Sequence, residues 1–117
     1  MEVHAIMKNV RMSAQKMREM VRQIQGLAAT EAEAVLRVVP RKSARHVSKT
    51  LKSAMANAED LKLHKPEYSG LRTEKLWVKQ AVAGQATTLK RFTPKARGSA
   101  GPILKRNCHI KIVLSDE

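Results

Sequence analysis

The chain has 117 residues, 43% of them hydrophobic but only 3% aromatic, with 23 Lys and Arg set against 10 Asp and Glu. A formal charge of +13 on a chain this short destabilises a compact state by self-repulsion and points to a polyanionic partner. The length argues for one domain, the lone Cys108 rules out an internal disulfide and suits a reducing compartment, and no apolar run approaches the ~20 residues of a bilayer span.

The opening Met1-Glu2-Val3-His4 lacks the basic-then-apolar order of a signal peptide, so none is expected. Val3 to Val10 reads as a short strand. Ser13 offers an N-cap, and Met17, Met20, Val21 and Ile24 fall at i, i+3, i+4 and i+7 before Gly26, which predicts a helix with one apolar face and Lys16, Arg18 and Arg22 on its other side. Thr30 and Glu33 have the spacing of a capping box, predicting a second helix with Ala32, Val35, Leu36 and Val39 inward and Pro40 at its end. A third and longest helix is expected over about 41–61. Its narrow apolar seam is Ala44, Val47, Leu51, Ala54, Ala58 and Leu61, with Met55 beside it. Arg41, Arg45, Lys49 and Lys52 form a separate basic stripe. Such a stripe is ordinarily solvated surface, but the acids that would pair with it are missing until Glu59 and Asp60.

A connector with turn chemistry, Lys65-Pro66-Glu67-Tyr68-Ser69-Gly70, precedes a strand in which Leu76, Val78 and Val82 alternate with Trp77, Lys79 and Ala81. Near the other end Cys108, Ile110, Ile112 and Leu114 alternate with His109, Lys111 and Val113 in a further strand. From Lys75 to Ser115 there is no Asp or Glu, while Lys90, Arg91, Lys95, Arg97, Lys105 and Arg106 crowd the middle. That middle has too little apolar material to recover its ordering entropy of ~1–2 kcal/mol per residue. It is also too long for an ordinary hairpin loop. The expectation is that the two strands continue outward as a two-stranded arm turning near Thr93-Pro94-Lys95, held in place by a polyanion; the alternative reading is a disordered loop. Ten residues at ~3.3 Å each would carry it ~30 Å out.

Chemistry of the enzymatic kind finds no footing. The histidines His4, His46, His64 and His109 are scattered, and Cys108 and His109 are strand neighbours that point to opposite faces. No carboxylate lies in the basic segment, and the glycines are isolated rather than gathered into a phosphate loop. No catalytic residue, metal or cofactor is therefore expected. Phe92, beside Arg91, is the one aromatic placed either to stack on an unpaired base or to pack between the legs of the arm.

Four stretches, in order and at matching intervals, resemble the L-twenty-two family of large-subunit ribosomal proteins. These are Arg11-Met12-Ser13-Ala14-Gln15-Lys16, Ser53-Ala54-Met55-Ala56-Asn57-Ala58-Glu59, the run from Thr88 to Gly98, and the run from Leu104 to Leu114. The chain departs from the family pattern with Lys95 for Arg, Ala86-Thr87 for Gly-Pro, Ala14 for Pro and Asn107-Cys108 for Thr-Ser. The resemblance implies an α+β fold: a small antiparallel sheet packed with three helices, a body of about 1–83 and 104–117, and an extended hairpin arm of about 84–103. It further implies a structural component of the large subunit whose partners are ribosomal RNA, neighbouring ribosomal proteins and the nascent chain in the exit tunnel. Tip changes in the family alter macrolide sensitivity.

On this reading the RNA-binding cations are Arg11, Lys16 and Arg18 at the first helix, and Arg41, Lys42, Arg45 and Lys49 on the long one. In the arm they are Lys90, Arg91, Lys95, Arg97, Lys105 and Arg106. Leu89, Lys90, Arg91 and Phe92 would line the tunnel. A cytoplasmic ribosomal location, with an organellar ribosome as the alternative, no membrane contact and no homo-oligomer are expected. The alternative is an architectural DNA-binding protein with a basic β-arm, which would require a broad apolar dimer face.

Overall fold

A computed structural model describes residues 1–117. Five strands and three helices follow in the order β1 (Glu2–Val10), α1 (Ala14–Ile24), α2 (Ala29–Val38), α3 (Lys42–His64), β2 (Trp77–Gln85), β3 (Leu89–Pro94), β4 (Ala100–Lys105) and β5 (Cys108–Ser115). The fold is α+β. β1, β5 and β2 form an antiparallel sheet with β5 in the centre, and β3 pairs with β4 in a separate two-stranded sheet.

The central strand supplies most of the large buried side chains of the sheet. Cys108, Ile110, Ile112 and Leu114 are all fully buried beneath the helices. Ile112 lies opposite Ala5 of β1 and Ala81 of β2, so one large side chain fills the row between two small ones. On the helix side α3 answers with Ala44, Ala54 and Ala58, which let it approach β1 and β5 closely, while Val47 and Leu51 fill the gaps. α1 buries Met17, Met20, Val21 and Ile24 against β2, and α2 rests mainly on α3. The long helix runs one turn further than its seam suggested, to His64, with Leu61 only partly covered.

Thirty of the 117 residues are buried, and no aromatic is among them. A body that small depends on each large aliphatic group. Ile112→Ala should therefore lower its stability by about 2–5 kcal/mol, the usual cost of emptying such a site. Urea unfolding with an unchanged slope is the measurement.

Two sequence expectations are corrected by pairing. The Thr30–Glu33 capping box does not form: α2 begins at Ala29, and no side chain caps it. The start of the helix is fixed instead by the sheet, since the Ala29 N–H donates to the Leu76 carbonyl (3.0 Å) and Ala28 bridges to Trp77. Thr30 consequently falls inside the first turn. In β2, Val82 does not share a face with Leu76 and Val78. A bulge between Val78 and Gln80 puts Lys79 and Gln80 both outward, so Ala81 and Ala83 turn inward and Val82 is exposed.

Gly26 does end α1, in the left-handed region (φ 82°), and its N–H donates to the Val78 carbonyl at 2.8 Å. With Leu27 accepting from the Val78 N–H at 2.8 Å, the α1–α2 link covers part of the free edge of β2. At the start of β5 the Asn9 N–H donates to His109 Nδ1 (3.0 Å), and Asn9 itself adopts a positive φ of 56° where β1 bulges.

The arm leaves this body where the sheet stops. Ala86–Thr88 and Arg106–Asn107 interrupt the ladder, tied to one another by Ala86 N–H to Asn107 O (3.0 Å) and Asn107 Nδ2 to Thr87 O (3.0 Å). Beyond them β3 and β4 pair from Leu89 opposite Lys105 to Pro94 opposite Ala100. The reversal lies at Lys95–Ser99, just past the Thr93-Pro94-Lys95 expected. The molecule measures 66 × 28 × 16 Å. Its radius of gyration of 17.7 Å exceeds the ~13 Å of a compact chain of this length.

Candidate nucleic-acid interface

Charge is segregated along the long axis. Glu2, Asp116 and Glu117 cluster at the strand ends remote from the arm, and the N-terminal amine pairs there with Asp116 (2.9 Å) and Glu117 (3.3 Å). Asp116 is held below the ordinary carboxylate range by its hydrogen bond from that amine and by the Arg72 N–H. Lys79 forms an ion pair with Glu2 at the same end. Toward the arm the acids disappear.

The arm's cations are spaced so that the hairpin can stay paired. Lys105 lies opposite Leu89, Lys90 opposite Leu104 and Arg91 opposite Ile103, so each charge faces an aliphatic side chain rather than another charge. Neighbouring strand residues alternate faces, which sends Lys90 to one side and Arg91 and Lys105 to the other. An arm with cations on both faces suits a partner that surrounds it.

At the far end Arg97 (φ 59°) and Gly98 (φ 73°) make the turn, closed by the Lys95 N–H to Ser99 O (2.6 Å) and Ser99 Oγ to Ala96 O (2.8 Å). The Lys95 stem folds back over Gly101, where a Cβ would sit 2.8 Å from its Cγ. Gly101 is therefore needed for Lys95 to take this course. Phe92 is 75% exposed opposite Pro102, so packing between the legs does not bury it. Leu89, Lys90, Arg91 and Phe92 lie along the outgoing strand, rootward of the turn.

On the body, Arg41, Lys42 and Arg45 line one hollow between the end of α2 and the start of α3, and Lys49 continues the stripe one turn on. Arg11, Lys16, Lys42 and Arg106 surround a second hollow, and Arg18 and Arg106 share a third. Arg18 Nε donates to the Ala83 carbonyl (3.0 Å) and Arg11 Nη1 to the Arg106 carbonyl (2.9 Å), which fixes both guanidinium groups against the sheet and the arm root. Among all the expected RNA-binding cations, Arg41 alone has an ion-pair partner, Glu19 at 2.9 Å. That pair is more than half exposed on both sides and contributes little.

His46, half-buried on α3, is pushed below the usual imidazole value by burial and then by Lys42 and Lys49, so it adds no charge at neutral pH. Burial raises the Cys108 thiol, which stays an un-ionised core group. Sequence reasoning missed Asn107 and Thr87, which tie the legs together at the root. Their signal was a pair of polar interruptions facing each other across two strands.

Fold and charge together define a class: a small basic α+β protein whose cations run from one helix onto a projecting arm. Residues 5–115 match the family described as ribosomal protein L22p/L17e. Over 117 residues the chain is 42% identical to the large ribosomal subunit protein uL22 of Akkermansia muciniphila, covering 100% of this chain and 98% of that one. It is 47% identical over 116 residues to the protein of the same name from Opitutus terrae, covering 99% and 96%. The chain belongs to this family and is a structural, non-enzymatic ribosomal protein. No helix is long and apolar enough to cross a membrane.

Proposed function

We propose that this protein binds the ribosomal RNA of the large subunit, supports assembly of that subunit, and runs its arm inward so that Leu89, Lys90, Arg91 and Phe92 line the nascent-peptide exit tunnel. Its partners on this reading are that RNA, neighbouring large-subunit proteins and the passing nascent chain. The observation that carries the proposal is the cationic track from Lys49, through Arg45, Arg41 and Lys42, to Arg106 and the acid-free arm. The relatives' name, large ribosomal subunit protein, supports the same placement.

The mechanism is neutralisation. Lys and Arg side chains replace the counterions of phosphates, and the released ions supply much of the affinity. With six or more such contacts, binding to folded large-subunit RNA fragments should fall about a thousandfold between 50 and 200 mM salt. Filter binding at a series of salt concentrations checks this. The same experiment with duplex DNA separates the architectural DNA-binding alternative. Equal or better affinity for DNA would favour that alternative. The apolar faces of α1 and α3 are spent on the core, which speaks against that alternative.

A further inference from the structure

Four cations converge on one hollow at the root of the arm, and no acid lines it. Arg11 comes from the turn after β1, Lys16 from the first turn of α1, Lys42 from the first residue of α3, and Arg106 from the end of the arm's returning leg. Ser13 and Leu104 complete the rim that matters here. None of the four cations has an ion-pair partner. Segments separated by up to 95 positions in the chain therefore bring like charges together with nothing between them.

Such a convergence raises the energy of the free protein and is relieved by a single anion held among the four. One of the four is already held in place. Arg11 uses one N–H on the Arg106 carbonyl (2.9 Å), which fixes its position and leaves the rest of its planar fork free. The next hollow along shares Ser13 and Arg106 and presents the neutral amides of Gln85 and Asn107, groups suited to an adjoining sugar.

We propose that this hollow is a phosphate clasp, taking one backbone phosphodiester of folded RNA so that the arm's root and the starts of both helices are fastened to the same group. The proposal rests on the RNA-binding reading above and deepens it. Those four residues stop being separate contacts and become one site, and the RNA sets the direction in which the arm leaves the body.

Residues that share one phosphate must be coupled, whereas residues on separate phosphates act independently. The test is a double-mutant cycle on binding to a folded large-subunit RNA fragment, using Lys42→Gln, Arg106→Gln and both together. All these side chains are exposed, so the variants should keep the far-UV circular dichroism of the parent. The double variant should depart from the product of the single effects by at least about threefold, as coupled groups do. It should also lower the salt slope by about one. Lys62→Gln, near the far end of α3, combined with Arg106→Gln should give a simple product, and Lys42→Arg should restore most of the affinity.

Independence of Lys42 and Arg106 in a protein that still prefers ribosomal RNA would overturn the clasp and leave the RNA-binding reading standing. Failure of that reading would already be visible in the unsubstituted protein, as a lack of preference for ribosomal RNA over duplex DNA. Inorganic pyrophosphate at matched ionic strength is the arm for a free anion. If it alone shifts the Ser13 and Lys42 amide signals at micromolar concentration, the hollow belongs to a free oxyanion and the RNA assignment falls.

Discussion

Replacing Lys90, Arg91, Lys105 and Arg106 together by Glu should exclude the protein from the large subunit. Each reversal removes one phosphate contact and adds one repulsion, and the formal charge falls by eight from its present +13. The pairing of the arm explains why the effect should be complete rather than partial. Lys90 points to one face of the hairpin, Arg91 and Lys105 point to the other, and Arg106 closes the root. No single side of the arm would remain able to face RNA. Because each substituted strand position still lies opposite Leu104, Ile103 or Leu89, the hairpin itself keeps its cross-strand pairs. Loss of incorporation would then report lost recognition rather than a collapsed arm. On sucrose gradients the tagged variant should stay near the top while the parent sediments with the large subunit. Normal sedimentation of the variant would remove the arm's proposed role.

Much of the body was legible because its central elements obey a single period. The inward residues of β5 fall at every second position and all four are fully buried, while Val113 and Ser115 on its other face are buried as well. The α3 seam keeps its 3-4-3-4-3 spacing, and five of its six members are buried. In both elements one continuous face meets one layer, so local pattern and tertiary environment agree. Where the outcome depended on pairing, the sequence was ambiguous. Nothing in the order Val78-Lys79-Gln80-Ala81 announces which residue a neighbouring strand will leave unpaired, and the resulting bulge reversed the facing of Val82. The capping box failed for a similar reason, because hydrogen bonds to Leu76 and a bridge to Trp77 set the start of α2.

The candidate interface divides along the same line. The arm's charge could be counted directly, but its alternation of cation and aliphatic residue across two strands required the register. The meeting of Arg11, Lys16, Lys42 and Arg106 depended on four elements coming together. Residue types in sequence gave four scattered cations, and only the fold made them neighbours.

The separation of arm from body leads to the second large effect, which acts on function without acting on stability. β3 and β4 pair with each other, and neither makes an extensive contact with a helix or with the three-stranded sheet. Leu89, Ile103, Leu104 and Phe92 are all exposed, and none belongs to the core cluster. Excising residues 89–105 and joining Thr88 to Arg106 through an Asn-Gly turn should therefore leave the body intact, since that turn suits two antiparallel legs. It also removes Lys90, Arg91, Lys95, Arg97 and Lys105, which relieves self-repulsion in the free protein. The thermal midpoint should stay within a few degrees of the parent's, whereas emptying the Ile112 site should lower it clearly. Binding to large-subunit RNA should nevertheless weaken by orders of magnitude, and its salt slope should fall by several units as those contacts go. A marked loss of thermal stability on excision would mean that the arm supports the body. Its cations would then serve a folding role, and surface charge alone would have to account for the +13.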